Sequence, residues 1–165
     1  MKKAALVLSG GGALGIAHVG ALEVLVEKYK FDWYAGVSAG SIIASMLATG
    51  HTPKQIDTIF RKTNLFKLMF DLRPTQFGFM SGGGIEKTLE EIFEDKRIED
   101  LDVPLTIGAT DFATGERISI DSGLITEAVR ASISVPVMFE PVWHKEHELW
   151  LVDGGLSQNF PLDLA

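Results

Sequence analysis

Trp33-Tyr34-Ala35-Gly36-Val37-Ser38-Ala39-Gly40-Ser41-Ile42-Ile43 is the stretch on which the fold turns. Its first half, Trp33–Val37, is a short aromatic and β-branched run that reads as a strand. Its second half, from Ser41 to Thr49, is apolar and reads as a helix. Between them stands Gly36-Val37-Ser38-Ala39-Gly40, a G-x-S-x-G pattern in a strand–turn–helix setting. At such an elbow the serine is held in a strained backbone conformation with its hydroxyl lifted clear, and Gly36 and Gly40 leave room for strand and helix to cross tightly. A serine there is either a nucleophile or an N-cap that only satisfies helix amides. The setting favours the nucleophile, and we take Ser38 as the candidate catalytic residue.

Upstream lies a second glycine-framed turn, Leu8-Ser9-Gly10-Gly11-Gly12-Ala13-Leu14-Gly15, which follows the apolar run Ala4–Ser9 and precedes a helical pattern. Successive glycines let backbone N–H groups converge on an anion beside the positive end of a helix. That arrangement suits a phosphate or a reaction oxyanion equally. With a nucleophile at Ser38, the Gly10–Gly12 run and the Ala39 amide are the candidate oxyanion hole.

The rest of the chain alternates strand and helix. A helix is expected over Ala17–Tyr29, with Val19, Leu22, Val26 and Tyr29 on one face. Thr52-Pro53 should cap and open another helix, running to Lys62, and Ile85–Glu94 should form a third that turns Ile85, Leu89, Ile92 and Phe93 inward. Leu105–Phe112 and Arg117–Asp121 flank a hairpin turn, Leu124–Ser132 reads as helical, and Glu140–His144 and Glu148–Val152 flank a second hairpin. Alternation followed by hairpins indicates an α/β protein of three α/β/α layers, with a mostly parallel central sheet and antiparallel additions. The 165 residues contain no repeat or linker and are read as one domain.

Composition narrows the chemistry. There is no cysteine, which removes disulfides, thiolate nucleophiles and cysteine-based metal sites. The net charge of −7 argues against nucleic acid as a partner. Eight carboxylates between Glu86 and Asp102 are matched by three basic side chains and read as a solvated helix face. The start, Met1-Lys2-Lys3 and five apolar residues, is cut short by Ser9 and the glycines, so a secretory signal is not expected. No stretch reaches the ~18–20 apolar residues of a bilayer span. A cytoplasmic protein is the expectation.

A serine nucleophile needs a base. Of the four histidines, His18 and His51 stand too early for the Ser…Asp…His order of α/β-hydrolases, and His144 and His147 flank a polar hairpin tip, where both should be solvated. His18 is expected to brace the glycine loop. Asp111 should order the turn that follows it, and Ser41 should hydrogen-bond within its helix. The remaining candidate is Asp153 in Leu151-Val152-Asp153-Gly154-Gly155, at a strand end where two glycines clear the approach. Local sequence leaves it open between a base and an ordinary Asp-Gly turn.

Together these segments resemble the patatin-like phospholipase family. The glycine run, the Ser38 elbow and Asp153-Gly154-Gly155 stand in the family's order, joined by Ala109-Thr110-Asp111 with Thr114-Gly115, Ala131-Ser132 with Pro136, and Asn159 with Pro161. The resemblance runs from about Lys3 to Pro161. It implies a lipid acyl hydrolase or carboxylesterase with a Ser38–Asp153 dyad, an acyl-enzyme, and no metal or other cofactor. Gly10, Gly11, Gly12 and Ala39 would form the oxyanion hole, and Gly15, Gly36, Gly40, Gly154 and Gly155 would support the motifs. Its partners would be a lipid or small ester, with peripheral membrane contact. Two points depart from the family: Leu14 occupies a place usually held by Arg or Lys, and the chain stops ten residues after Gly155, as a segment of a longer catalytic domain would.

The stretch Asn64–Met80 is rich in apolar side chains, including Phe66, Met69, Phe70, Phe77 and Phe79, and ends in Ser81-Gly82-Gly83-Gly84. It reads either as a core helix and loop or as a mobile rim that contacts an acyl chain. A rival reading takes Gly10-x-Gly12-x-x-Gly15 as a dinucleotide fingerprint. That fingerprint wants an acidic residue at the end of the second strand, whereas Asp32 precedes Trp33–Val37, and it leaves the Ser38 elbow unexplained. A third reading is a patatin-like domain that binds without catalysing.

Overall fold

The computed structural model describes residues 2–63 and 83–164. Its chain order is β1 (Lys2–Leu8), α1 (Ile16–Lys28), β2 (Tyr29–Val37), α2 (Ala39–Ala48), α3 (Pro53–Thr63), α4 (Gly83–Phe93), β3 (Leu105–Asp111), β4 (Arg117–Ile120), α5 (Ile125–Ser132), β5 (Val142–His144), β6 (Leu149–Asp153) and the short α6 (Gly155–Gln158). The elements form a three-layer α/β/α arrangement around a mixed sheet of order β1-β2-β3-β6-β5, with β4 also paired to β3. The parallel character expected of the sheet is confined to β1, β2 and β3; β4 and β6 run antiparallel to β3, and β5 antiparallel to β6.

The register around β3 brings two strand ends together. Gly108 pairs with Val37 of β2 and with Ser119 of β4; Ala109 pairs with Ile118 of β4 and with Asp153 of β6. A strand has two edges, so β4 occupies one while β2 and β6 share the other. β2 ends opposite Gly108, and β6 arrives from the opposite direction to end opposite Ala109. The C-terminal ends of the two strands therefore abut, and the chain after each is free to leave the sheet.

Sequence accounts for most of the elements. α2 is apolar on all sides, as only an enclosed helix can be, and every residue from Ala39 to Leu47 is buried. It packs against β1, β2, β3 and α5. Burying its Ile42, Ile43 and Met46 is worth roughly 1.5–3 kcal/mol each. α3 begins as expected: the Gln55 amide donates to Thr52 Oγ1 (3.3 Å) and the Thr52 amide donates to Gln55 Oε1 (2.8 Å), a capping box ahead of Pro53 at the first helical position. In α4, Ile85, Leu89 and Phe93 are buried, while the acidic side chains between Glu86 and Asp102 lie on the surface.

Two expectations are corrected. Tyr29 does not close the face of α1. It opens β2, opposite Lys2, and stacks on Phe31 with ring centroids 6.3 Å apart. β2 thus starts four residues before Trp33 and takes in Asp32. His144 is not solvated, with only 1% of its surface exposed. Strand alternation turns Trp143 outward and His144 inward, where α5 packs on β5 and the His147 ring lies edge-on 4.9 Å away.

Candidate active site

β2 delivers Ser38 to the junction of the two strand ends. Its backbone takes φ 51° and ψ −124°, a left-handed conformation that costs a residue with a Cβ on the order of 1–3 kcal/mol and survives only where the surroundings enforce it. Here they do. The Ser38 amide donates to Ser132 Oγ at 2.9 Å. The Ser38 carbonyl accepts from Ser41 Oγ at 2.6 Å and from the Ser41 amide at 2.9 Å. The crossing of strand and helix needs both flanking glycines. A Cβ on Gly36 would lie 2.5 Å from the Gly40 carbonyl oxygen, and one on Gly40 would lie 2.3 Å from the Leu8 carbonyl oxygen.

β6 delivers Asp153 to the same junction. Ser38 Oγ donates to Asp153 Oδ2 at 2.6 Å, while the other carboxylate oxygen accepts from the Gly155 amide at 2.7 Å. The Asp153 backbone is held at both ends: its amide donates to the Ser134 carbonyl at 2.9 Å, and its carbonyl accepts from Thr110 Oγ1 at 2.9 Å. Burial raises the Asp153 carboxyl above its ordinary value, and the hydrogen bonds from Ser38 and Gly155 pull against that rise without cancelling it. A raised value makes the carboxylate a better proton acceptor near neutrality than an exposed aspartate would be.

The glycine run follows β1 and turns through a short 3-10 segment, Gly12–Gly15, with Gly12 at φ 52°. Gly15 sits against the elbow: a Cβ there would lie 2.6 Å from Ala39 Cβ. Among the four amides expected to face an oxyanion, that of Gly10 is already committed, donating to the Asn159 carbonyl at 3.0 Å. The expectation for Gly10 is corrected accordingly. It is a spacer, since a Cβ there would meet Asn159 Oδ1 at 2.4 Å and Ser38 Cβ at 3.2 Å. Among the described residues, the Gly11, Gly12 and Ala39 amides donate to no turn, loop or side-chain acceptor.

His18 Nε2 lies 3.4 Å from Ser9 Oγ, and burial lowers the imidazole's pKa, which suits a loop brace. Asp111 orders its turn, accepting from the Ala113 amide (3.1 Å) and Thr114 Oγ1 (2.6 Å). Leu14 is 81% exposed. Phe66, Met69, Phe70, Phe77 and Phe79 lie outside the described residues. Asp32 sits in the first half of β2, 3.8 Å from Lys3 Nζ and remote from the strand's C-terminal end, where a dinucleotide ribose would need it. Among the described residues, no cluster of His, Asp or Glu could hold a metal ion.

Gly108, Ser132 and Thr110 also build the junction, with no local sequence signal of those roles. Gly108 is a point of close approach in the junction: a Cβ on Gly154 would lie 2.3 Å from its carbonyl oxygen and a Cβ on Gly108 itself would lie 2.6 Å from Val37 Cγ2. Ala131-Ser132 and Thr110 stood in the linking blocks, but their partners are distant in sequence.

With this geometry in place, the comparisons decide the family. The profile described as Patatin-like phospholipase matches residues 6–165. The chain belongs to the patatin-like phospholipase family. It is 35% identical to the uncharacterized protein YqhO of Bacillus subtilis (strain 168), over 94% of this chain and 64% of that protein. It is 34% identical to patatin-like phospholipase domain-containing protein 7 of Rattus norvegicus and 32% identical to domain-containing protein 6 of Homo sapiens, in each case over 98% of this chain and 12% of the relative. The chain thus spans under two thirds of the length of these relatives. The crystal structure of VipD from Legionella pneumophila shares the fold, with a TM-score of 0.60 and 19% identity over 97% of this chain and 47% of VipD. Family membership replaces the dinucleotide reading of the glycine run.

Proposed function

We propose that this patatin-like domain hydrolyses carboxylic esters of lipids through a Ser38–Asp153 dyad. The observation that carries the reading is the 2.6 Å hydrogen bond from Ser38 Oγ to Asp153 Oδ2, made by a serine at positive φ beside the glycine run. In the first step Ser38 Oγ bonds to the ester carbonyl carbon and its proton passes to Asp153 Oδ2. The carbonyl oxygen becomes an oxyanion that accepts from the Gly11, Gly12 and Ala39 amides, the last lying at the start of α2. Collapse expels the alcohol, which takes the proton from Asp153 and leaves the acyl group on Ser38. Water then attacks the acyl carbon, returns its proton through Asp153 and releases the acid. Gly15, Gly36, Gly40, Gly154 and Gly155 act here by letting backbones approach.

No step calls on a metal or cofactor. No helix among the described residues is long and apolar enough to cross a membrane, and the membrane contact we propose is peripheral. The net charge of −7 favours an apolar origin for that contact over attraction to anionic headgroups.

Turnover of nitrophenyl esters of increasing acyl length tests the reading and locates the substrate class. Activity that rises with chain length, falls at least 10³-fold in Ser38→Ala and falls comparably in Asp153→Asn is the expected result. A Ser38→Ala protein that keeps the original rate would end the proposal. A well-folded wild-type protein with no turnover would favour a binding role for the domain.

A further inference from the structure

We infer that Ser132 is the positioning residue of the site: its hydroxyl, interposed between β2 and β3, holds Ser38 in its strained conformation and at hydrogen-bonding distance from Asp153. The inference rests on the Ser38–Asp153 reading above and gives Ser132 a role that its place in a linking block does not supply.

Where β2 ends, the Ser38 amide no longer has a ladder partner on β3. Ser132 Oγ takes up that place. It accepts from the Ser38 amide at 2.9 Å and donates to the Gly108 carbonyl at 2.6 Å, so one fully buried hydroxyl bridges the two strands just past their last residue pair. A hydroxyl is suited to this because one small oxygen accepts and donates at once, whereas a carboxylate, which only accepts, would leave the Gly108 carbonyl unmatched. Without it, the buried Ser38 amide and Gly108 carbonyl would both be orphaned.

The same turn also holds the other half of the site. The Ser134 carbonyl accepts from the Asp153 amide at 2.9 Å, and the Ser132 carbonyl lies 3.4 Å from the Gly154 amide. Ser134 is fixed in turn by Arg130, whose Nη1 donates to Ser134 Oγ at 2.6 Å and whose guanidinium lies 4.9 Å from the Phe139 ring centroid. The end of α5 therefore grips both strand ends from one side. Ser132 holds the nucleophile's amide through its side chain, and Ser132 and Ser134 hold the Asp153-Gly154 backbone through their carbonyls. The separation of Ser38 and Asp153 is set by a three-residue turn and not by the two strands alone.

Ester hydrolysis by Ser132→Ala, Ser132→Thr and Ser132→Cys, each compared with wild type and with Ser38→Ala, tests this. Ser132→Ala is expected to lower kcat about 10–100-fold with KM changed less than about twofold, because substrate contacts are untouched while the reacting groups are displaced. Its acid limb should also move to higher pH, since a loosened Ser38 hydroxyl no longer offsets the effect of burial on Asp153. A residue that only stabilised the fold would leave that limb in place. Ser132→Thr, which keeps the hydroxyl, should recover most of kcat. Should Ser132→Ala fail to fold, Ser132→Cys keeps the volume, weakens both hydrogen bonds and should show the same fall. Wild-type kcat and an unmoved limb in a Ser132 variant lacking the hydroxyl, with Ser38→Ala inert, would overturn the inference alone. Turnover that persists in Ser38→Ala would overturn the dyad and this inference with it.

Discussion

Ser38 and Asp153, 115 residues apart, meet because two strands running toward each other end on the same edge of β3: Val37 lies opposite Gly108 and Asp153 opposite Ala109. Neither strand can continue without displacing the other, so each chain leaves the sheet at this point. The residues that leave it, one at positive φ and one before two glycines, present their side chains to each other. Strand ends at a break in sheet pairing are where open α/β folds collect their functional groups.

The acid limb of the pH–rate profile should report Asp153. On the proposed mechanism its carboxylate accepts the proton, so kcat/KM should fall as pH drops, and burial places the midpoint above the ~3.9 of a free aspartate. For stability the sign is opposite to that of a salt-bridged aspartate. A folded-state value above the unfolded one favours the protonated form, a contribution present below the unfolded value and lost as pH rises through the folded one. Asp153→Asn removes the buried charge, so at pH 7 it should lose turnover while its Tm stays equal to or above that of wild type.

Relief of backbone strain can be separated from loss of the hydroxyl. Ser38→Gly and Ser38→Ala should both be inactive, but glycine accepts φ 51° without penalty, so Ser38→Gly should be the more stable of the two by about 1 kcal/mol. Chemical denaturation of the pair reads this directly. Equal stabilities would mean that the elbow stores no strain.

Close approach is tested at Gly154. Its hypothetical Cβ lies 2.3 Å from a backbone oxygen that cannot move alone, so Gly154→Ala should cost about 1–3 kcal/mol or more and lower activity by separating the strand ends. Gly20→Ala is the contrast. It lies within α1 with nothing within 4 Å, and should raise stability by up to about 1 kcal/mol with activity unchanged.

The sequence made the elbow, the glycine run, the Thr52 cap and most helices legible because each is local: a spacing, a capping pair or an apolar face is complete within about ten residues. What it concealed depends on register. Nothing near Gly108 announces that two strands end against it, and nothing near Ser132 announces an amide 94 residues away. Gly10 shows the same limit from the other side. Its place in a glycine run suggests a free donor, yet the Asn159 carbonyl, supplied by the chain beyond Asp153, takes that amide. His144 was misplaced because a polar hairpin tip suggests solvent, while strand alternation turns its ring under α5.

Thr52 should matter to stability alone. Thr52→Ala removes the side-chain acceptor for the Gln55 amide at the start of α3, outside the junction of the strand ends, and should cost about 1 kcal/mol. Thermal unfolding and ester turnover of the same preparation separate the two effects. A lowered Tm with wild-type kcat is expected.

The central claim, that Ser38 is a nucleophile armed by Asp153, is tested most directly by mapping a fluorophosphonate adduct. Wild type treated with the reagent and digested should carry one modification, on the peptide containing Ser38; Ser38→Ala should carry none, and Asp153→Asn should label at least 10²-fold more slowly. An adduct on another serine, or Ser38 labelling at the wild-type rate in Asp153→Asn, would contradict it.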